Sequence, residues 1–205
     1  MGHVEISETL ESRKMLSASV VGGVLNISGT NGNDAIIVSQ TPSGVVVNNN
    51  GNTTTITSYL TTISVVTGNG NDKVTLNNTV FANGGSILTG NGDDRVTIGD
   101  ANISGDFLVD TDNGEDAVTL ASSTLQGGVL KTGNGNDTVV ASGSTFFNYG
   151  TVQTGAGNDL VVVADTTVFG YTTIDLGSGF DTFFGINNSF GNGVSTLNAE
   201  LRIVI

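Results

Sequence analysis

Thr67-Gly68-Asn69-Gly70-Asn71-Asp72, continued by Lys73-Val74-Thr75-Leu76, is the stretch whose recurrence sets the architecture of this 205-residue chain. It returns as Thr89-Gly90-Asn91-Gly92-Asp93-Asp94 and Thr111-Asp112-Asn113-Gly114-Glu115-Asp116. Further copies are Thr132-Gly133-Asn134-Gly135-Asn136-Asp137, Thr154-Gly155-Ala156-Gly157-Asn158-Asp159 and Leu176-Gly177-Ser178-Gly179-Phe180-Asp181. From Asp72 to Asp181 the closing aspartates are spaced 22, 22, 21, 22 and 22 residues apart. A fixed spacing in this range marks a solenoid, in which each repeat packs on its neighbours. An earlier copy, Gly29-Thr30-Asn31-Gly32-Asn33-Asp34, lies 38 residues before Asp72, one period plus 16. That step reads as one regular coil plus a shorter or irregular one, for about seven coils in all.

Each turn is followed by period-two alternation: Val74 and Leu76, Val96 and Ile98, Val118 and Leu120, Val139 and Ala141, Val161 and Val163. Alternation directly after a turn is a strand with one face inward. A second apolar column runs through Phe81, Ile103, Leu125, Phe146, Val168 and Phe190, and a third through Ile87, Val109, Leu130, Val152 and Ile174. Three inward columns per coil predict a right-handed three-sided parallel β-helix of about 22 residues per coil. Glycine and β-branched residues throughout the repeats exclude a helical solenoid.

Winding once per repeat stacks Asp72, Asp94, Asp116, Asp137, Asp159 and Asp181 into a ladder. Two carboxylates about 4.8 Å apart repel by roughly 1 kcal/mol in water and about 3.5 kcal/mol at an effective dielectric of 20. Cations, turn amides or solvent must offset this. Oxygen ligands with no His or Cys beside them suit calcium. The alternative is that each Asp caps its own turn and binds no metal. The densest acidic stretch lies where two coils meet: Asp93 and Asp94 beneath Glu115 and Asp116, with Asp110 and Asp112 entering the same turn.

Gly68-Asn69-Gly70-Asn71-Asp72-Lys73-Val74 resembles the calcium-binding nonapeptide of repeats-in-toxin proteins, with Thr67 at the family's leading glycine. The resemblance implies calcium held between successive turns by backbone carbonyls and the Asp carboxylates. The metal-site residues expected are thus Asp72, Asp93, Asp94, Asp110, Asp112, Glu115, Asp116, Asp137, Asp159 and Asp181.

With 6 basic and 19 acidic residues, a net charge of -13 speaks against nucleic acid, whose phosphates need clustered Lys and Arg. The absence of cysteine removes disulfides, zinc-thiolate sites and thiol nucleophiles. No apolar run is long enough for a membrane-spanning helix. One histidine, His3, three scattered arginines and no Trp give little material for a polysaccharide-cleaving site, so no enzyme is expected.

Residues 1–24 read as an N-terminal cap, docking arm or export segment, with a short helix over 7–16. Residues 25–205 read as the solenoid, irregular near 41–66, where Pro42 marks a loop and Asn48-Asn49-Asn50-Gly51-Asn52 a turn. Leu10-Glu11-Ser12-Arg13-Lys14-Met15-Leu16-Ser17-Ala18 resembles the short export-associated segment of secreted planctomycete proteins that carry β-repeats. That resemblance implies an extracellular or cell-surface location. The function expected is a structural, calcium-binding solenoid that assembles end to end into filaments or matrix, its C-terminal end lacking a closing helix. An adhesin-like module for glycans or surfaces is the alternative. Its binding face would draw on Phe147, Phe169, Tyr149 and Tyr171.

Overall fold

The computed structural model describes residues 17–197 and 201–204. The chain is all β, a solenoid of about six turns with coils of about 22 residues. The helix expected over 7–16 lies outside the described residues. A representative coil contributes three strands: Lys73–Asn77, Val80–Phe81 and Gly85–Asn91. The first stacks into a 10-stranded sheet, and the other two belong to a 12-stranded sheet. In the middle coils the second and third strands run together as Asn102–Asp110, Thr124–Lys131 and Thr145–Gln153.

Every equivalence read along the three apolar columns is a pairing in register. Val96 lies between Val74 and Val118, and Val139 between Val118 and Val161, all in parallel. The one 21-residue step is absorbed at a corner. Ser104 and Gly105 separate the paired residues of one coil, where the next has Gln126 alone. The ladder shifts there and returns to register at Asp106 and Gly127.

The three predicted columns form the core. Val74, Leu76, Val96, Ile98, Val118, Leu120, Ile87, Val109 and Ile174 are fully enclosed, and Phe81, Ile103, Leu125, Phe146 and Val168 fill the second corner. Phe107 joins them from a position outside the predicted columns. Leu120, with neighbours above and below, has little room to collapse around a void. Leu120→Ala is therefore expected to cost about 3 kcal/mol in urea unfolding, against under about 0.5 kcal/mol for the outward Thr119→Ala.

The 38-residue step does not hold an extra coil. Ala35–Thr41 occupies the coil position and pairs in parallel with Lys73–Asn77. Gly44–Asn49 and Asn52–Ile56 then fold back as an antiparallel meander along its other edge. The step thus holds one coil with an inserted antiparallel pair of strands. Asn50 and Gly51 both have positive φ, 48° and 85°, the conformation a two-residue Asn-Gly hairpin requires. On the other sheet Ser17–Val21 pairs antiparallel with Val24–Ser28. At this end both sheets therefore finish in antiparallel strands.

Candidate functional site at the aspartate turns

Strand alternation carries the inward phase back from Val74 to Asp72, and the same holds in each coil. Asp72, Asp94, Asp116, Asp137, Asp159 and Asp181 accordingly point inward and are all but completely buried. One oxygen of each carboxyl, Oδ1, reaches the turn of the preceding coil. The amide of Asp34 donates to Asp72 Oδ1 at 2.7 Å, and that of Asp72 to Asp94 Oδ1 at 2.7 Å. The amides of Asp94, Asp116, Asp137 and Asp159 donate to Oδ1 of Asp116, Asp137, Asp159 and Asp181, each at 2.8 Å. A self-capping Asx turn is therefore not what these residues make.

The threonine opening each turn is also buried. Thr67 Oγ1 donates to the carbonyl of Thr89 at 3.0 Å, and Thr154 Oγ1 to that of Leu176 at 2.9 Å. Thr111 Oγ1 faces Asp116 Oδ2 at 2.7 Å and the Thr132 carbonyl at 3.3 Å. Burial pushes the carboxyls of Asp72, Asp94, Asp116, Asp137 and Asp159 up. Hydrogen bonds from the threonine and the neighbouring amide pull them part of the way back. The shift carries Asp94 to about 6 and Asp116 to about 7.

Outside the same turn runs a second ladder of opposite sense. Here the later coil donates to the earlier one: Asp93 N to Asn71 Oδ1 at 3.0 Å, Glu115 N to Asp93 Oδ1 at 2.9 Å and Asn158 N to Asn136 Oδ1 at 2.8 Å. A third rank joins amide side chains, from Asn91 to Asn69, Asn113 to Asn91 and Asn134 to Asn113, at 2.9, 2.8 and 2.7 Å. No protein-family model, curated protein or solved structure matches this chain.

The acidic stretch read as one patch is divided by these directions. Asp94 and Asp116 lie inside, and Asp93 and Glu115 are exposed outside. Asp110 forms an ion pair with Lys131 of the next coil, 2.9 Å from Nζ to Oδ2. Asp112 stands at the position of Gly68, Gly90, Gly133, Gly155 and Gly177 and takes the left-handed φ of 67° that Asp tolerates. Its Oδ1 accepts from Asn113 Nδ2 at 3.1 Å. Among the described residues no three acidic or histidine side chains converge as metal ligands. Calcium takes six to eight oxygens. Each carboxyl from Asp72 to Asp159 has one oxygen held by an amide, and its other side faces the threonine of its turn. No role is derived for the ion within the buried column.

A second corner repeats the logic without carboxylates. Asn78, Asp100, Ser122, Asp165 and Asn187 share a left-handed φ of 49–51°. The residues that follow them, and Ser144 after Gly143, turn inward: Ser123 and Ser144 hydroxyls accept the amides of Ala101 and Ser123 at 3.1 and 3.2 Å, and Asn188 Oδ1 accepts that of Thr166 at 2.9 Å. Sequence reading missed this column. Its signal is position, two residues before Phe81, Ile103, Leu125, Phe146 and Val168, in the inward phase.

The aromatic residues read as a binding face lie outside the core. Phe147 and Phe169 stack with centroids 5.5 Å apart and planes 11° from parallel. Tyr149 crosses Gly127, where any side chain would meet its ring, and its hydroxyl donates to Asp106 Oδ1 at 2.9 Å. Burial and this carboxylate push the Tyr149 hydroxyl up.

Proposed function

We propose that this protein is a structural β-solenoid, a rod-like building block of an extracellular surface or matrix. The observation that carries the reading is the inner aspartate column. Its carboxyls join each coil to the next instead of converging on a substrate or ion. Successive carboxyls hold equivalent positions, which does not suit the paired but unlike environments an acid and a base require. No catalysis is therefore proposed. The surface location rests on the segment from Leu10 to Ala18.

End-to-end association is part of the proposal. The terminal strands Val194–Leu197 and Leu201–Val204 each pair on one edge only among the described residues, and such edges accept further strands. Electron microscopy and sedimentation across a concentration series are expected to show lengthening rods. A monomer of fixed size at every concentration would remove the assembly role. Calcium, the ion implied by the turn motif, is expected to give no heat in calorimetric titration and to leave melting unchanged. A melting temperature that climbs with calcium would make the turns ion sites and overturn the structural reading of the column.

A second reading, a glycan- or surface-binding module, is favoured by the exposed aromatics Phe147, Phe169, Tyr171 and Phe180. Selective retention on a glycan array, lost in Phe169→Ala, would support it over the building block.

A further inference from the structure

The buried turn column has fewer protons than its acceptors require. Around Asp116, one threonine hydroxyl faces two acceptors, Asp116 Oδ2 and the Thr132 carbonyl, with one hydrogen to give. Thr67, Thr132 and Thr154 direct theirs to the carbonyl of the next coil at 3.0, 3.3 and 2.9 Å. Oδ2 of Asp72, Asp137 and Asp159 is then buried against a threonine hydroxyl whose one hydrogen is given to that carbonyl. At the remaining coil both Asp94 Oδ2 and Thr89 Oγ1 are buried, and that hydroxyl lies against that carboxyl.

We propose that Asp72, Asp94, Asp116, Asp137 and Asp159 form a proton-binding column, carried in the folded protein as neutral carboxylic acids. Each Oδ2–H donates to the threonine Oγ1 of its own turn, the O–H of Thr67, Thr111, Thr132 and Thr154 to the carbonyl one coil on, and Oδ1 accepts the amide of the preceding Asp. One added proton per turn satisfies every polar atom named, and a buried charge costs far more than a hydrogen-bonded neutral group. Asp34 supplies the contrast. Gly29 stands in place of its threonine, and both its oxygens receive N–H donors, from Asn50 Nδ2 at 2.7 Å and Thr30 N at 2.6 Å. It is not a member of the column.

The charges acting on the column are carboxylates: Asp34 on Asp72, Asp72 and Asp93 on Asp94, Asp94 and Asp137 on Asp116, Glu115 on Asp137 and Asp137 on Asp159. Lys73 and Arg95 lie on the exposed face of the following strands, Lys131 is paired with Asp110, and Asp110 and Asp112 lie outside the column. Burial and like charge therefore both favour the proton. Folded carboxyls raised above their ordinary range bind protons that the unfolded chain has released. Stability is thus fully present below the ordinary Asp value of 3.8 and is lost as pH rises toward the folded values of about 6 for Asp94 and about 7 for Asp116.

The test compares the full chain with Asp116→Asn. Asparagine keeps the oxygen that accepts the Asp94 amide and supplies an N–H to Thr111 in place of the acid proton. Infrared spectra in heavy water near pH 6 are expected to show a buried carboxylic-acid band that weakens in Asp116→Asn. Between about pH 5 and 8 the wild-type unfolding constant is expected to rise, by up to a factor of ten per pH unit for each titrating group, and less steeply in the variant. Absence of the acid band in the wild type, or stability that is flat or rising over this range, would overturn the proposal. So would a variant weakened equally at both ends of it.

Discussion

Gly135→Ala is expected to destabilise the fold by about 4 kcal/mol or more, among the largest effects a single methyl group produces. Gly135 has a φ of 146°, and a Cβ there would overlap the carbonyl oxygen of Gly114 in the coil below. Gly114, Gly157 and Gly179 share the conformation and the same close approach to the coil beneath. Neither coil can retreat, because the ladders on both sides of the turn fix their spacing. The control is Gly143→Asn. Gly143 has a φ of 55°, a Cβ there would meet only ordinary contacts, and Asn78 and Asn187 hold the equivalent position with φ values of 50° and 51°. That substitution is expected to stay within about 1 kcal/mol of the wild type. Urea unfolding followed by far-ultraviolet circular dichroism separates the two. Equal losses would mean that the turn glycines are not held by neighbouring coils.

Asp116→Ala is expected to cost about 3 kcal/mol. It strands the buried amide of Asp94, removes the partner of Thr111 Oγ1 and leaves a small void. The sequence-level picture of mutually repelling carboxylates gives the opposite sign, since removing one charge from an ionised ladder relieves its neighbours. Asp93→Ala is the companion measurement. Asp93 is stacked in the same register but exposed, so water replaces its carboxylate as acceptor for the Glu115 amide. Its loss is expected to cost less than about 1 kcal/mol. Matching losses at the two positions would contradict the division into an inner and an outer rank.

The coil length, the three apolar columns and the stacking of Asp94 on Asp116 were legible because a 22-residue recurrence leaves few other ways to wind. What spacing alone does not reveal is the side each turn residue faces. The signal was present in the alternation: Asp72 lies two residues before Val74, in the inward phase, while Asn71 lies in the outward one. Carrying that phase back into the turn would have separated Asp94 from Asp93, and Asp116 from Glu115. The polar column of Ser123, Ser144 and Asn188 is marked by the same phase before the second strand. The 38-residue step was harder, since its length fits either a coil or a hairpin. Pro42-Ser43 and Asn50-Gly51, two tight turns flanking Gly44–Asn49, decide for the hairpin. The strut from Tyr149 to Asp106 joins residues 43 positions apart, across a coil in which Gly127 has no side chain to obstruct it. No periodic pattern points to it.

The central feature of the fold is a carboxyl that binds the amide of the adjacent coil. Scalar coupling through hydrogen bonds, measured by nuclear magnetic resonance on uniformly labelled protein, reads that partnership directly. The amide nitrogen of Asp94 is expected to correlate with the side-chain carboxyl carbon of Asp116. Correlation with an acceptor inside its own turn, from Thr89 to Asp94, would show a self-capped loop and contradict the inter-coil ladder.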